Sequence, residues 1–488
     1  MSKLTITAKE LRAIGFPESP VIPVAMDAVG KHFKHEKKED VMEILKAVLA
    51  SPLEYKNDAV LGMIADKLLP KTPSPFGEGD GGEVSLNNTG VHFNTFGAEH
   101  IEQGAFHQMY RAVKLPIAVA GALMPDAHHG YGLPIGGVLA TDNAVIPYGV
   151  GVDIGCRMCL SIFDIDAKEL SNREQYFARE ISEATLFGSG AQFKQAEDHE
   201  VMDSKAFFEN PLLKGLHGRA WKQLGSSGSG NHFVEFGSVT ITEKDEVLGV
   251  APGTYIGLLS HSGSRALGAC IANHYTKIAI SKRRLPQEAK NLAWLDLNEE
   301  AGQEYWIAMN LAGDYASACH HIIHAKIARQ LGRKPIKMVE NHHNFAWKEI
   351  HEGKEVIVHR KGATPAGKDV LGIIPGSMTA NGYIVKGRGE VASLNSASHG
   401  AGRKMSRTQA IANITYEGLK NELNKYGVKL LGGGLDEAPF AYKDIEAVMQ
   451  SQTALVDVVG KFNPKIVKMC GDPPRYNNPR KKSEIEGE

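Results

Sequence analysis

Nowhere in its 488 residues does this chain hold an uninterrupted apolar run long enough to cross a bilayer. Its first residues, Met1-Ser2-Lys3-Leu4-Thr5, lack the apolar stretch of a signal peptide, so a cytoplasmic protein with no membrane partner is expected. It also lacks net charge, with 55 Lys+Arg against 56 Asp+Glu. That balance excludes a global basic field of the kind that drives non-specific nucleic-acid binding, and any such contact must be local. Cysteine is sparse: Cys156, Cys159, Cys270, Cys319 and Cys470 are an odd number, widely spread, and do not form a disulfide framework. Cys156-x-x-Cys159 has no second such pair to complete a zinc knuckle. No repeat of fixed period is present. Histidine, by contrast, is plentiful at 20 residues, which favours metal or catalytic use.

The length suits two or three domains or one large enzyme core. Residues 1–75 read as a helical appendage: Val41, Ile44, Leu45, Val48 and Leu49 share one helical face, and a second helical run extends from Asp58 to Leu69. The Pro-, Gly- and Ser-rich stretch around 76–90 reads as a linker. Residues 91–471 form the expected catalytic domain, in which short glycine-punctuated strands alternate with helices. One long helix is predicted from Glu299 to about Gln330, stopped by Gly332 with Pro335 beyond it. Residues 472–488, with Pro473 and Pro474 and no apolar periodicity, read as a loose tail.

Chemistry concentrates at strand ends. In Gly149-Val150-Gly151-Val152-Asp153-Ile154-Gly155-Cys156, glycines hold an aspartate and a cysteine three apart on a turn able to aim both at one metal ion. Cys156 and Cys159 together spell a redox or zinc-type pair, but Met158-Cys159-Leu160-Ser161-Ile162 alternates like a strand that buries Cys159. Ser229-Gly230-Asn231-His232, Ser260-His261-Ser262-Gly263-Ser264-Arg265 and Asn341-His342-His343-Asn344 each place histidine at the end of an apolar run. His342 beside His343 leaves the ligand open by one position. Ser398-His399-Gly400-Ala401-Gly402-Arg403, followed by Arg407, sets one histidine among small residues and closely spaced guanidinium groups. This pattern suits a nucleophile facing phosphate.

Taken together, MPDAHHGYGLPIGGV at 124–138, GVGVDIGC, SGNHFVEF, SHSGSR, HHN, PGSM at 375–378, SHGAGR and EAPFAYKD at 437–444 resemble the RtcB-type 3'-phosphate RNA ligase family, from about His92 to Gly471. The resemblance implies an α+β catalytic domain of packed sheets flanked by helices. It implies a pair of divalent ions, usually manganese, held by Asp153, Cys156, His232, His261 and His343, with Cys156 bridging. It makes His399 the nucleophile toward GTP and assigns the nucleotide to Asn231, Glu235, His343, Asn344, Pro375, Gly376, Ser377, Met378, His399, Gly400, Ala401, Gly402, Arg403, Tyr442 and Lys468. Asp126, His128, Arg265 and Arg407 become RNA-end or supporting residues. The implied substrates are RNA ends with a 3'-phosphate or 2',3'-cyclic phosphate and a 5'-hydroxyl, and some family members use an archease-like activator.

Decoys fall away on their own residues. Gly362-Ala363-Thr364-Pro365-Ala366-Gly367-Lys368-Asp369 nearly spells a P-loop, but Asp369 stands where Ser or Thr must bind magnesium, and Leu371–Ile374 reads as strand. His320 and His324 share a face of the long helix, yet His321 occupies the place of the glutamate in a zinc-protease motif, so both are read as helix-face residues. The lysine-x-aspartate-glycine motif of ordinary nucleotidyl-transfer ligases is absent. Two rival functions share part of the site: a two-metal phosphoesterase acting on RNA ends, and a catalytically silent RNA-end binder.

Overall fold

The computed structural model describes residues 4, 6–17, 21–34, 36–56, 58, 60–68 and 82–471. The predicted tail at 472–488, the start of the linker at 76–81 and Leu69 lie outside the described residues. The chain divides into two units, Met1–Asp80 and Gly81–Glu488.

The first unit consists of helices. Thr7 and Glu10 form a reciprocal capping box that starts Ala8–Ala13, and Val21–His32, Lys38–Ala50 and Gly62–Leu68 follow. Val41, Leu45 and Val48 of the expected face are fully buried with Leu11, Val21, Ala25 and Ile64, while Ile44 and Leu49 flank this core. The second helix starts at Gly62 rather than at Asp58. The Asp58 Oδ1 accepts the N–H groups of Val60 and Leu61 at 2.8 Å each, folding the chain into a turn first.

The second unit has the expected α+β character. Its large sheet runs in the spatial order Lys337–His342, Arg157–Asp166, Gly253–Ser262, Phe233–Ile241, Val456–Met469, Gly382–Gly387 and Leu371–Ile374, with Lys429–Gly432 added in parallel on Val456–Met469. The outer two strands of that order approach each other. The Asn341 side chain joins them, accepting from Ile373 N at 2.8 Å and donating to Ile373 O at 3.3 Å, so the sheet is nearly closed by an amide that mimics a strand partner. A second sheet runs Asn344–His351, Lys354–Lys361, Ile135–Thr141, Ala118–His128, Phe93–Thr95. The long helix covers Glu300–Leu331 and stops at Gly332, whose φ of 62° is the left-handed cap expected from glycine. No helix among the described residues is long and apolar enough to cross a membrane.

Sheet register builds the site. Met158 pairs with His261, Phe233 pairs with the same His261, and Arg157 pairs with both Ser262 and His342. The residues just outside these pairs, Cys156, His232 and His343, therefore meet His261 at one end of the sheet.

Candidate active site

Four segments of the chain carry five ligand-type side chains to one cluster. Cys156 Sγ lies 3.4 Å from His232 Nε2 and 3.2 Å from His261 Nε2, and His261 Nε2 lies 3.2 Å from His343 Nε2. Asp153 Oδ2 is 2.9 Å from His232 Nε2. Close packing around the carboxylate requires glycine: a Cβ at Gly263 would stand 2.0 Å from Asp153 Oδ1. His343, not His342, joins the cluster; the His342 ring packs 4.9 Å from those of Phe345 and Trp347.

His261 Nδ1 is 2.9 Å from the Asn231 carbonyl, which can only accept, so the single proton of a neutral imidazole sits there and Nε2 faces the cluster bare. Burial holds His261 down to about 3 and His343 well below the ordinary histidine value, so both are neutral. Burial pulls the Asp153 carboxyl up, but the adjoining His232 outweighs it and the group stays below its ordinary value. The bare His261 Nε2, the Asp153 carboxylate and the Cys156 sulfur gathered with two further imidazoles make a donor set suited to positive charge. The donor set fits divalent ions, and among the described residues Asp153–Cys156–His232 and Cys156–His261–His343 form two overlapping groups that share the cysteine. Burial and Asp153 push the Cys156 thiol well up, an effect that a bound cation reverses by favouring the thiolate.

His399 stands beside this cluster, its ring centroid 4.9 Å from that of His343. The fully buried Asp126 lies 2.6 Å from His399 Nδ1 and accepts the His399 backbone N–H at 3.2 Å. The network thus places the ring proton on Nδ1 and leaves Nε2 with its lone pair. A cavity of about 340 Å³ opens here. It is lined by His128, Asn231, Glu235, the Pro375-Gly376-Ser377-Met378 turn, His399, Gly400, Ala401, Gly402, Arg403, Arg407 and Tyr442, all of them foreseen. Burial alone raises the Glu235 carboxyl well above its ordinary value, as suits a group that hydrogen-bonds in a closed pocket.

Not every expected residue faces that cavity. Lys468 turns away: Val467 and Met469 line the pocket, while Lys468 Nζ donates to the Ser182 carbonyl at 3.1 Å on the other side of the strand. Asn344 acts on the turn that carries Asp153 and Cys156 instead, donating to the Asp153 carbonyl at 3.4 Å and accepting from Gly362 N at 2.9 Å. Arg265 is buried with φ 58°, its Nε 3.2 Å from Ser226 Oγ, and braces the loop that leads to His232. His128 does line the cavity and stays close to Asp126, with Nδ1 3.1 Å from its carbonyl oxygen; burial lowers it to about 4.

Four residues escaped the sequence reading. Arg157 is buried directly after Cys156, with Nη2 donating to the Gly313 carbonyl at 2.7 Å and Nη1 paired with Glu340. Glu437 binds Arg403, Arg407 and Tyr442 at the cavity wall. Lys443 donates to the Ala127 carbonyl at 2.7 Å, fixing the Asp126 strand. Lys361 is buried, donates to the Tyr131 carbonyl and lies 5.2 Å over the Tyr148 ring, and burial lowers it to about 7. Glu437 and Lys443 lay inside the EAPFAYKD stretch, so a signal existed; Arg157 and Lys361 carried none.

Comparison with known proteins finds relatives over most of the chain. The family model described as "tRNA-splicing ligase RtcB" matches residues 108–217 and 191–469. An "RNA-splicing ligase RtcB" of Escherichia coli K12 is 32% identical over 389 residues, covering 74% of this chain and 92% of that protein. A "tRNA-splicing ligase RtcB" of Methanococcus maripaludis is 30% identical over 428 residues, 72% of this chain and 88% of the relative. An "RNA-splicing ligase RtcB" of Mycobacterium bovis is 30% identical over 426 residues, 73% and 98%.

Proposed function

The chain belongs to the RtcB family of tRNA-splicing ligases, and on that premise we propose that it is a GTP-dependent RNA ligase joining a 3'-phosphate or 2',3'-cyclic phosphate end to a 5'-hydroxyl end, in tRNA splicing or RNA repair. One observation carries the reading. A histidine with its lone pair left free by Asp126 lies between a ligand cluster for divalent ions and a nucleotide-sized cavity.

Asp153, Cys156, His232, His261 and His343 would hold two manganese ions, which supply positive charge to offset that of phosphate and pyrophosphate groups. His399 Nε2 attacks the α-phosphorus of GTP: the N–P bond forms, the bond to the bridging oxygen breaks, and pyrophosphate leaves. An RNA 3'-phosphate oxygen then takes the guanylyl group, returning the electron pair to His399. The RNA 5'-hydroxyl next attacks the activated 3'-phosphorus, loses its proton, and GMP departs. A cyclic phosphate is first opened by water.

The chain's own side chains divide this work. Asp126 orients the His399 ring and stabilises the charge that develops on it. Arg403 and Arg407, held at the cavity wall by Glu437, are placed for phosphate oxygens, as is Asn231. Glu235, Ser377 and Tyr442 offer hydrogen bonds and an aromatic wall to the base and ribose.

The test is incubation of the protein with manganese and GTP labelled at the α-phosphate, followed by denaturing electrophoresis. Acid-labile, alkali-stable label on the protein is expected. Turnover of phosphorylated RNA ends without such label would instead support the phosphoesterase, and neither activity would support a silent binder.

A further inference from the structure

His320 and His324 take no part in that chemistry, yet both are fully buried. They lie one turn apart on the Glu300–Leu331 helix and face the Gly253–Ser262 strand from the side opposite the metal-ligand cluster. Strand alternation sends His261 to the cluster and its neighbour Ser260 to the helix. Ser260 Oγ lies 2.6 Å from His320 Nδ1 and 2.7 Å from His324 Nε2. His324 Nδ1 is 2.8 Å from Ser161 Oγ, and His320 Nε2 is 3.1 Å from the Ser262 carbonyl.

Only one proton arrangement satisfies this chain. A carbonyl accepts and cannot donate, so His320 carries its proton on Nε2 and receives the Ser260 hydroxyl proton at Nδ1. Ser260 Oγ must then accept from His324 Nε2–H, and the bare His324 Nδ1 receives the Ser161 hydroxyl proton. Both imidazoles are neutral, in keeping with burial, which lowers His324 to about 3. Cys159 Sγ and one nitrogen of each ring lie within 4.8 Å of one another, but the Ser260 hydroxyl already bridges the two rings and both nitrogens of each ring are engaged in hydrogen bonds. The cluster is therefore a hydrogen-bond relay.

The relay's central hydroxyl, Ser260, and its Ser262 end belong to the residues on either side of His261, while its other end is Ser161. The pairing with Phe233–Ile241 stops at His261, so Ser262 projects past that strand, and its carbonyl goes to His320. From the front, the Asn231 carbonyl fixes the His261 ring. We propose that His320 and His324 are positioning residues for His261, holding its backbone from behind through Ser260 and Ser262 so that Nε2 meets the metal. This rests on the reading of His261 as a metal ligand.

Manganese binding by the full chain, followed by electron paramagnetic resonance, tests the relay in Ser260→Ala, His320→Leu, His324→Leu and His320→Gln. Loss of such outer support typically costs about tenfold to a hundredfold in metal affinity. The first three variants should show that loss, and their guanylylation should return when manganese is raised in proportion. His320→Gln, whose amide can still donate to the Ser262 carbonyl, should regain most of the affinity. Ser260→Ala removes one hydroxyl and keeps the test valid if the leucine variants fail to fold. Wild-type affinity in cooperatively folded variants, lost activity that excess manganese does not restore, or a further ion released by Cys159→Ser would each overturn the proposal. Undiminished metal binding by His261→Ala would show that the metal reading itself is at fault.

Discussion

Asp126 Oδ2 touches His399 twice, at Nδ1 (2.6 Å) and at the backbone nitrogen (3.2 Å), so one buried carboxylate sets both where the histidine sits and which ring nitrogen is free. Asp126→Asn keeps an acceptor but removes the charge that, in the proposed guanylylation, would stabilise the ring as it becomes positive. Single-turnover labelling should slow by at least about tenfold, with manganese affinity unchanged. Equal rates in variant and parent would mean that Asp126 has a packing role only.

His399→Ala should abolish protein guanylylation and leave bound metal intact, because its ring lies against His343 without belonging to the ligand cluster. Metal analysis and labelling on one sample decide the matter. Any residual transfer of GMP to the variant would remove His399 from the nucleophile's role.

Cys156 and Cys159 are three residues apart with opposite expectations. Cys156→Ser exchanges the shared sulfur of the two ligand groups for a hydroxyl that remains protonated, and should empty at least one ion site and stop ligation. Cys159, fully buried on its strand with a thiol that burial drives well up, should tolerate serine at the cost of about 1 kcal/mol of packing and desolvation. Equal metal loss in both variants would make them a functional pair.

Thiolate and imidazole favour zinc over manganese, which lies at the weak end of the affinity series. Added zinc should therefore inhibit guanylylation by displacing manganese, and excess manganese should relieve it. Ligation stimulated by zinc alone would contradict this assignment of the metal.

Arg157, next to Cys156, is paired in the interior with Glu340. Burial raises the Glu340 carboxyl, but the hydrogen bond from His321 and the charge of Arg157 outweigh it and hold the group far below its ordinary value of 4.5. A depressed carboxyl contributes stability above its unfolded-state pKa and loses it as pH falls, so this contribution should fade below about pH 4.5. Glu340→Ala strands a buried guanidinium and should cost about 3 kcal/mol at neutral pH. Urea unfolding at pH 7 and pH 4 measures both, and a variant as stable as the parent at pH 7 would refute it.

Much of this protein was legible from local pattern. Glycine, asparagine and histidine at the ends of apolar runs marked the strand termini that carry Asp153, Cys156, His232, His261 and His343, because turn chemistry and side-chain periodicity are local properties. Gly332 marked the end of the long helix for the same reason. What the linear pattern left open depended on partners far away in the chain. Whether His342 or His343 joins the Cys156–His261 cluster is decided where one strand passes into another. Lys468 faces away from the cavity in a strand whose register shifts between Pro464 and Ile466, and such a shift changes which face each later residue presents to its neighbours. Arg157 finds Glu340 across 183 residues, and His320 finds Ser260 across 60. Hydrogen bonds and ion pairs of that span are set by strand register and helix docking, which single-sequence periodicity does not encode.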